Sequence, residues 1–289
     1  MRFRFLSILY ILLLTACSKQ ADMPAGDYLP IEFIPDVESK AVPVTGATLA
    51  NMGIWAYYTG ERSWAEMKGE AKSGWMDNRK YLKTDQLWTA NPVAYWPYSP
   101  ADRLSFFAYS PYATPANGIT LDSSESGEPR IGYHTPAAID NQADLIVASA
   151  LDKTKTSGSV ALKFSHILVR VNVSARLENL LSRAVRITRI QFSNVKSAAV
   201  YSFAAGEWSA ANTPLTFEAV LTPVEISLAE PATLLGENRY FMFLPQTLEN
   251  VILEISYMPA PFTGETLTKR ATLSGTWEKG RPLNYEITF

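Results

Sequence analysis

Val160-Ala-Leu-Lys-Phe-Ser-His-Ile-Leu-Val-Arg-Val-Asn-Val173 is the longest strand signal in the chain. Val160, Leu162 and Phe164 share one parity, whereas Ile167, Val169, Val171 and Val173 share the other. Side chains on a strand alternate strictly between two faces, so one strand cannot keep a single buried face through that change. Either a β-bulge near Ser165-His166 absorbs a residue, or the chain crosses there from one sheet to another. Just upstream, Asp152-Lys-Thr-Lys-Thr-Ser-Gly-Ser159 is polar and rich in turn formers. It reads as a boundary between two domains or as a long hairpin loop.

Working outward from this stretch, strand patterns dominate. Ile31 and Phe33 alternate with Glu32. Ile54-Trp-Ala-Tyr-Tyr58, Leu104-Ser-Phe-Phe-Ala-Tyr109 and Asp144-Leu-Ile-Val-Ala148 are compact apolar runs. Downstream, Val185 to Phe192 and Val200 to Phe203 are strand candidates. Tyr240-Phe-Met-Phe-Leu244 is solidly apolar, which predicts burial on both faces. Val251 to Tyr257, Leu267 to Leu273 and Leu283 to Phe289 alternate. Only Trp64 to Lys72 and Leu177 to Arg183 invite helix, and both are short. The expected fold is all-β, with two β-sandwich domains in tandem over residues 30–156 and 157–289.

The chain opens with Arg2 and Arg4, followed by a mostly apolar run from Phe5 to Leu14. That run is too short to span a bilayer, which takes ~20 apolar residues, and suits the core of a signal peptide. Leu14-Thr15-Ala16-Cys17 then places small residues before the sole cysteine of the chain. This is the lipoprotein pattern. Residues 1–16 are expected to be removed, and Cys17 is expected to carry lipid. Several acyl chains would anchor durably, since each buried methylene contributes ~0.8 kcal/mol. Ser18, where an aspartate would favour the inner membrane, points to the outer membrane. Residues 17–29 then form a tether.

Composition removes several classes of function. The net charge of −2 leaves no basic footprint for nucleic acid. With Cys17 acylated, no thiol remains for a disulfide. Only His134 and His166 are available, too few for a His or Cys metal cluster, and no glycine-rich phosphate loop or alternating acidic calcium loop is present. No cofactor or metal is expected, and no catalytic residue is assigned. Trp55, Trp64, Trp75, Trp88 and Trp96 crowd one region. Most are expected to fill a core. Trp64 and Trp75 lie among polar residues and are the expected exposed pair, able to stack on a sugar ligand.

Six short motifs occur in order: Tyr95-Trp96-Pro97; Phe106-Phe-Ala-Tyr-Ser-Pro111; Gln142-Ala-Asp144-Leu-Ile146; Phe164-Ser-His166; Pro245-Gln246; and Trp277-Glu-Lys-Gly280 before Tyr285. With these motifs behind its cysteine signal, the chain resembles the fimbrillin family, the type V pilus subunits of Bacteroidetes. The resemblance implies two transthyretin-like sandwiches exported as a lipoprotein to the cell surface. It also implies partners among other pilus subunits or host and bacterial surface ligands. In polymerising members an Arg-specific protease removes the first strand, and a neighbour's C-terminal strand fills the groove by β-augmentation. Here Ile31 to Ile34 corresponds to the first strand. Leu283, Tyr285, Ile287 and Phe289 correspond to the donor knobs, although a plain final strand would look the same. The chain departs from the pattern at the cut, where Lys40-Ala41 replaces Arg-Ala, and Arg62 lies beyond the next strand. The expectation is a surface-anchored fimbrial subunit or adhesin. The alternative is a glycan-binding outer-membrane lipoprotein beside a polysaccharide uptake system.

Overall fold

The computed structural model describes residues 28–37, 48–85, 87–122, 126–179, 182–236 and 238–289. Cys17, the signal region and Lys40-Ala41 lie outside the described residues. The first part of the chain forms β1 (Phe33–Val37), β2 (Asn51–Gly60), helix α1 (Trp64–Met67), β3 (Met76–Thr84), β4 (Leu87–Thr89), β5 (Arg103–Ser110), β6 (Ile119–Asp122), β7 (Arg130–His134), β8 (Ile146–Lys153) and β9 (Val160–His166). There follow β10 (Val169–Arg176), β11 (Val185–Ser202), β12 (Glu207–Trp208), β13 (Asn212–Ile226), β14 (Ala232–Thr233), β15 (Phe241–Phe243), β16 (Gln246–Thr247), β17 (Val251–Pro259), β18 (Leu267–Leu273), β19 (Thr276–Trp277) and β20 (Pro282–Thr288). The all-β class expected from the sequence is the one observed.

The parity change in the opening stretch is a crossing between sheets. β9 lies in a seven-stranded sheet of order β1-β9-β8-β5-β2-β3-β4, while β10 belongs to a second sheet with β14, β15 and β20. The polar 152–159 stretch joins β8 to β9, which pair antiparallel in one sheet. The passage between sheets comes after it, at Ile167-Leu168. Four consecutive residues, His166 to Val169, are buried there. Buried backbone needs partners, and the crossing has them. Ile167 N–H donates to Leu145 O (3.1 Å), Gly280 N–H donates to Leu168 O (3.0 Å), and Trp208 Nε1 donates to Ile167 O (2.7 Å).

The first sheet is buried on both faces at its centre, which explains its unbroken apolar runs. Met52, Ile54, Phe106, Ala108 and Phe164 line one face. Trp55, Tyr57, Phe107, Tyr109 and Val147 line the other, and there they meet Ile131, Tyr133, Ala199, Tyr201 and Met242. That second core joins the two halves of the molecule. β6 and β7 come from the first half of the chain yet pair into the sheet of β11, β13, β17 and β18. The two separate strand candidates at 185–192 and 200–203 are therefore one continuous 18-residue strand, β11. It pairs with β17 at one end and β7 at the other. A third core lies between β10 and the β11–β17 sheet, centred on Phe192, Phe241, Phe243 and Trp277.

Three expectations change. Only Trp64–Met67 of the first helix candidate is helical. The described part of 177–183 contains no helix, because Leu177 and Glu178 spend their N–H groups on Leu228 O and Phe289 O. β18 alternates in sequence but is exposed along nearly its whole length as an edge strand, with Leu267 44% exposed.

Candidate functional site

The stretch 160–176 seats both the first and the last of the described strands. β1 lies parallel to β9, with Phe33 opposite Val160 and Val37 opposite Phe164. β20 lies parallel to β10, with Leu283 opposite Val171 and Ile287 opposite Ala175. Each terminal strand is thus added in parallel beside one half of the same continuous segment.

The β1 seat is deep. Ile31, Phe33 and Val37 are buried, and the Phe33 ring meets Tyr81 and Phe106 edge-on at 5.0 and 5.3 Å. The approach to β1 is also clamped. Ile31 N–H donates to Ala94 O (2.8 Å) and Trp96 N–H donates to Leu29 O (3.0 Å). The Tyr95-Trp96-Pro97 motif therefore holds the segment leading into the first strand.

The β20 seat is shallower. Leu283, Tyr285, Ile287 and Phe289 pack against the third core but stay partly exposed. Polar contacts add to the seat: Arg176 Nε donates to Glu286 Oε1 (2.6 Å), Asn284 Nδ2 to Ser174 Oγ (2.8 Å), and Trp277 Nε1 to the Tyr285 hydroxyl (2.8 Å). Trp277 itself stacks on Phe243 at 5.0 Å.

The remaining motifs converge on the sheet crossing. Asp144 and His166, from two separate motifs, are both buried, with Oδ2 and Nδ1 2.9 Å apart. Gln142 Oε1 accepts from Met242 N–H (2.8 Å), and its Nε2 donates to Pro136 O (2.8 Å). Gln246 accepts from Lys196 N–H and donates to Lys196 O, tying β11 to the segment after β15. Gly280 has φ +70°, and a Cβ there would sit 3.0 Å from His166 O, so glycine is required at that approach. His134, by contrast, is exposed on β7.

The tryptophan pair divides. Trp64 is not exposed as expected: it is 4% accessible and packs edge-on against Tyr57 and Phe107. Its polar neighbours misled because they serve the helix start. Ser63 and Glu66 form a capping box, and Trp64 N–H donates to Asp152 Oδ1 (2.7 Å). Trp75 is 36% exposed and lies at a cleft of about 740 Å³. It stacks on Tyr58 (5.5 Å, 25°) and donates Nε1 to Tyr95 O (3.0 Å). Tyr58 donates its hydroxyl to Asp102 Oδ2 (3.0 Å), and burial together with that carboxylate raises the phenol above its usual range. Arg79, Tyr98 and Lys155 complete the rim, and Tyr28-Leu29 forms one wall. The sequence reading missed all of these except Trp75. Tyr95 and Tyr98 flank a recognisable Trp-Pro pair, but Asp102 and Lys155 come from distant loops and carry no local signal. Among the described residues no cluster of His, Cys, Asp and Glu is arranged to hold a metal ion.

The chain is an all-β protein of the β-sandwich class, in which the first and last described strands are each added in parallel beside one continuous segment. A family model described as fimbrillin-like matches residues 42–289, and the chain belongs to that family. Its structure is similar to that of a fimbrial protein from Bacteroides vulgatus, at 20% identity over 89% of this chain and 95% of that one, with a TM-score of 0.70. Candidate cell adhesion proteins from Bacteroides uniformis and Bacteroides ovatus match at 18% and 15% identity, each over 91% of this chain and 93% of the other, both with a TM-score of 0.55. At these identities the likeness is one of fold. No curated protein matches the chain.

Proposed function

We propose that this chain is a cell-surface fimbrial subunit that stays anchored through lipid on Cys17 and keeps its first strand. One observation carries the reading. β1 pairs with β9, its inward Phe33 and Val37 are buried, and the segment before it is bonded to residues 94–96, whereas the apolar side chains of β20 are only half covered. A subunit that retains β1 occupies its own groove and cannot accept a neighbour's strand there. Its shallow β20 is the element suited to contact a neighbouring subunit by strand exchange. Lys40-Ala41, in place of Arg-Ala, supports the same reading, because an Arg-specific protease has no site after the first strand. Such a subunit serves at the base of a fimbrium or as a membrane-tethered adhesin, in the outer membrane.

Mass spectrometry of the native N-terminus tests the anchor. A chain beginning at acylated Cys17 is the expected result, and a chain beginning at Ala41 sinks the proposal. A gel run without boiling tests the strand. Deleting residues 283–289 should abolish any association with neighbouring subunits, and association that survives the deletion removes β20 from that role.

A further inference from the structure

Fifteen large apolar or aromatic side chains are exposed among the described residues, and seven of them line the single cleft at Trp75. Isolated exposed rings are ordinary on a protein surface, but a concentration of this kind marks a contact site. These rings are also held in place. Trp75 is fixed by its stack on Tyr58 and its bond to Tyr95 O, and Tyr58 is fixed by Asp102. Lys155 donates to Tyr98 O and lies over the Tyr98 ring. Arg79 donates Nη1 to Pro92 O (2.7 Å), which orients its guanidinium at the cleft. Ordering a long or aromatic side chain at a binding surface costs free energy, and here that cost is met before any ligand arrives.

We propose that this cleft is a carbohydrate-binding site. A pyranose presents a flat C–H face and a rim of hydroxyls. The exposed rings of Trp75 and Tyr98 suit the first, while Asp102, Arg79 and Lys155 suit the second as acceptor and donors. The mixed charge of these three groups favours a neutral sugar over a strongly anionic or cationic ligand. A purely apolar ligand would leave the three charged groups desolvated and unmatched. The volume of about 740 Å³ lies within the ~300–1,000 Å³ typical of small-ligand clefts, room for a short oligosaccharide rather than a folded partner. Because Tyr28-Leu29 is one wall, the cleft is complete only while the segment between Cys17 and β1 is in place. By linkage, a bound sugar also stabilises the seated first strand.

The test uses the chain from residue 17 to 289 and a panel of neutral soluble sugars: maltotetraose, cellotetraose, xylotetraose, mannotetraose and chitotetraose. At least one should produce a saturable change in tryptophan fluorescence. Trp75→Ala should weaken that binding about tenfold or more, the scale of one lost aromatic contact. Tyr98→Ala should weaken it severalfold, and because Tyr98 is 79% exposed its loss leaves the fold intact. Leu228→Ala, on an exposed surface elsewhere, should bind as the parent does. No response to any sugar overturns the proposal, as does binding that both ring variants leave unchanged. The anchoring and strand-exchange measurements do not involve sugar, so this proposal and the subunit reading fail independently.

Discussion

The two terminal strands have the same topology and different depth. β1 and β20 each lie parallel to one half of the segment 160–176, yet Phe33 is 5% exposed in its seat while the inner residues of β20 remain half covered. Parallel addition at an edge therefore does not determine how firmly a strand is held. What decides it is the number of layers that close over the strand. β1 is covered by Tyr81, Phe106 and the 94–96 segment, whereas β20 meets the third core from one side only.

Alkaline pH should break this comparison most widely. The buried phenols of Tyr81 and Tyr201 are pushed up to about 12 by burial, and burial also raises Tyr57, Tyr109 and Tyr133. All five lie in the first core or in the core joining the two halves. Below pH 10 these phenols are protonated in both the folded and unfolded states and contribute no pH dependence. Between pH 10 and 12 the unfolded chain releases protons that the folded chain keeps, so stability falls as pH rises. Each such tyrosine costs ~1.4 kcal/mol per pH unit, which puts the loss from Tyr81 and Tyr201 together at about 5 kcal/mol across that window. Tyrosinate absorbance should rise together with the loss of near-UV circular dichroism. Smooth titration without unfolding would contradict the burial of these rings.

A more local test is Phe33→Ala against Ile287→Ala. Removing a fully buried phenylalanine costs about 3–5 kcal/mol. Ile287 is half covered and should cost roughly half of the usual ~2–5 kcal/mol. Urea unfolding measures both, and equal losses would erase the distinction between the two seats. Asp144→Ala tests the crossing between them. It leaves the buried His166 ring without its partner at 2.9 Å, and an unsatisfied buried polar group costs about 1–3 kcal/mol. Asp144→Asn keeps the shape and should cost less. The smallest effect belongs to Tyr285→Phe. It keeps the half-buried ring but deletes the hydroxyl that accepts from Trp277 Nε1, for a loss of about 0.5–1.5 kcal/mol. Its more informative readout is faster hydrogen exchange confined to β20.

Much of this architecture is legible in the chain itself. Alternation alone marks most strands, and the parity change at Ser165-His166 calls for either a β-bulge or a crossing, between which the sheet pairing decides. The burial of Phe241 to Leu244 follows from the unbroken apolar run, while Tyr240 at its start is half-buried. Trp64 reads as exposed because polar neighbours at a helix start resemble those of an exposed loop, and solvent exposure depends on what lies across the fold. The alternation of β18 misleads for a related reason: period two identifies a strand but cannot say whether another layer covers it.

The sequence by itself determined the strand periodicity and the change of face at residues 165–168, because each is written in neighbouring residues. Only the tertiary structure decided that this one segment seats both the first and the last of the described strands, that Asp144 meets His166, and that Trp75 shares a cleft with Asp102 and Lys155. Those are contacts between residues far apart in the chain. They exist only when long-range strand pairing closes the loops between them, and no local pattern encodes that closure.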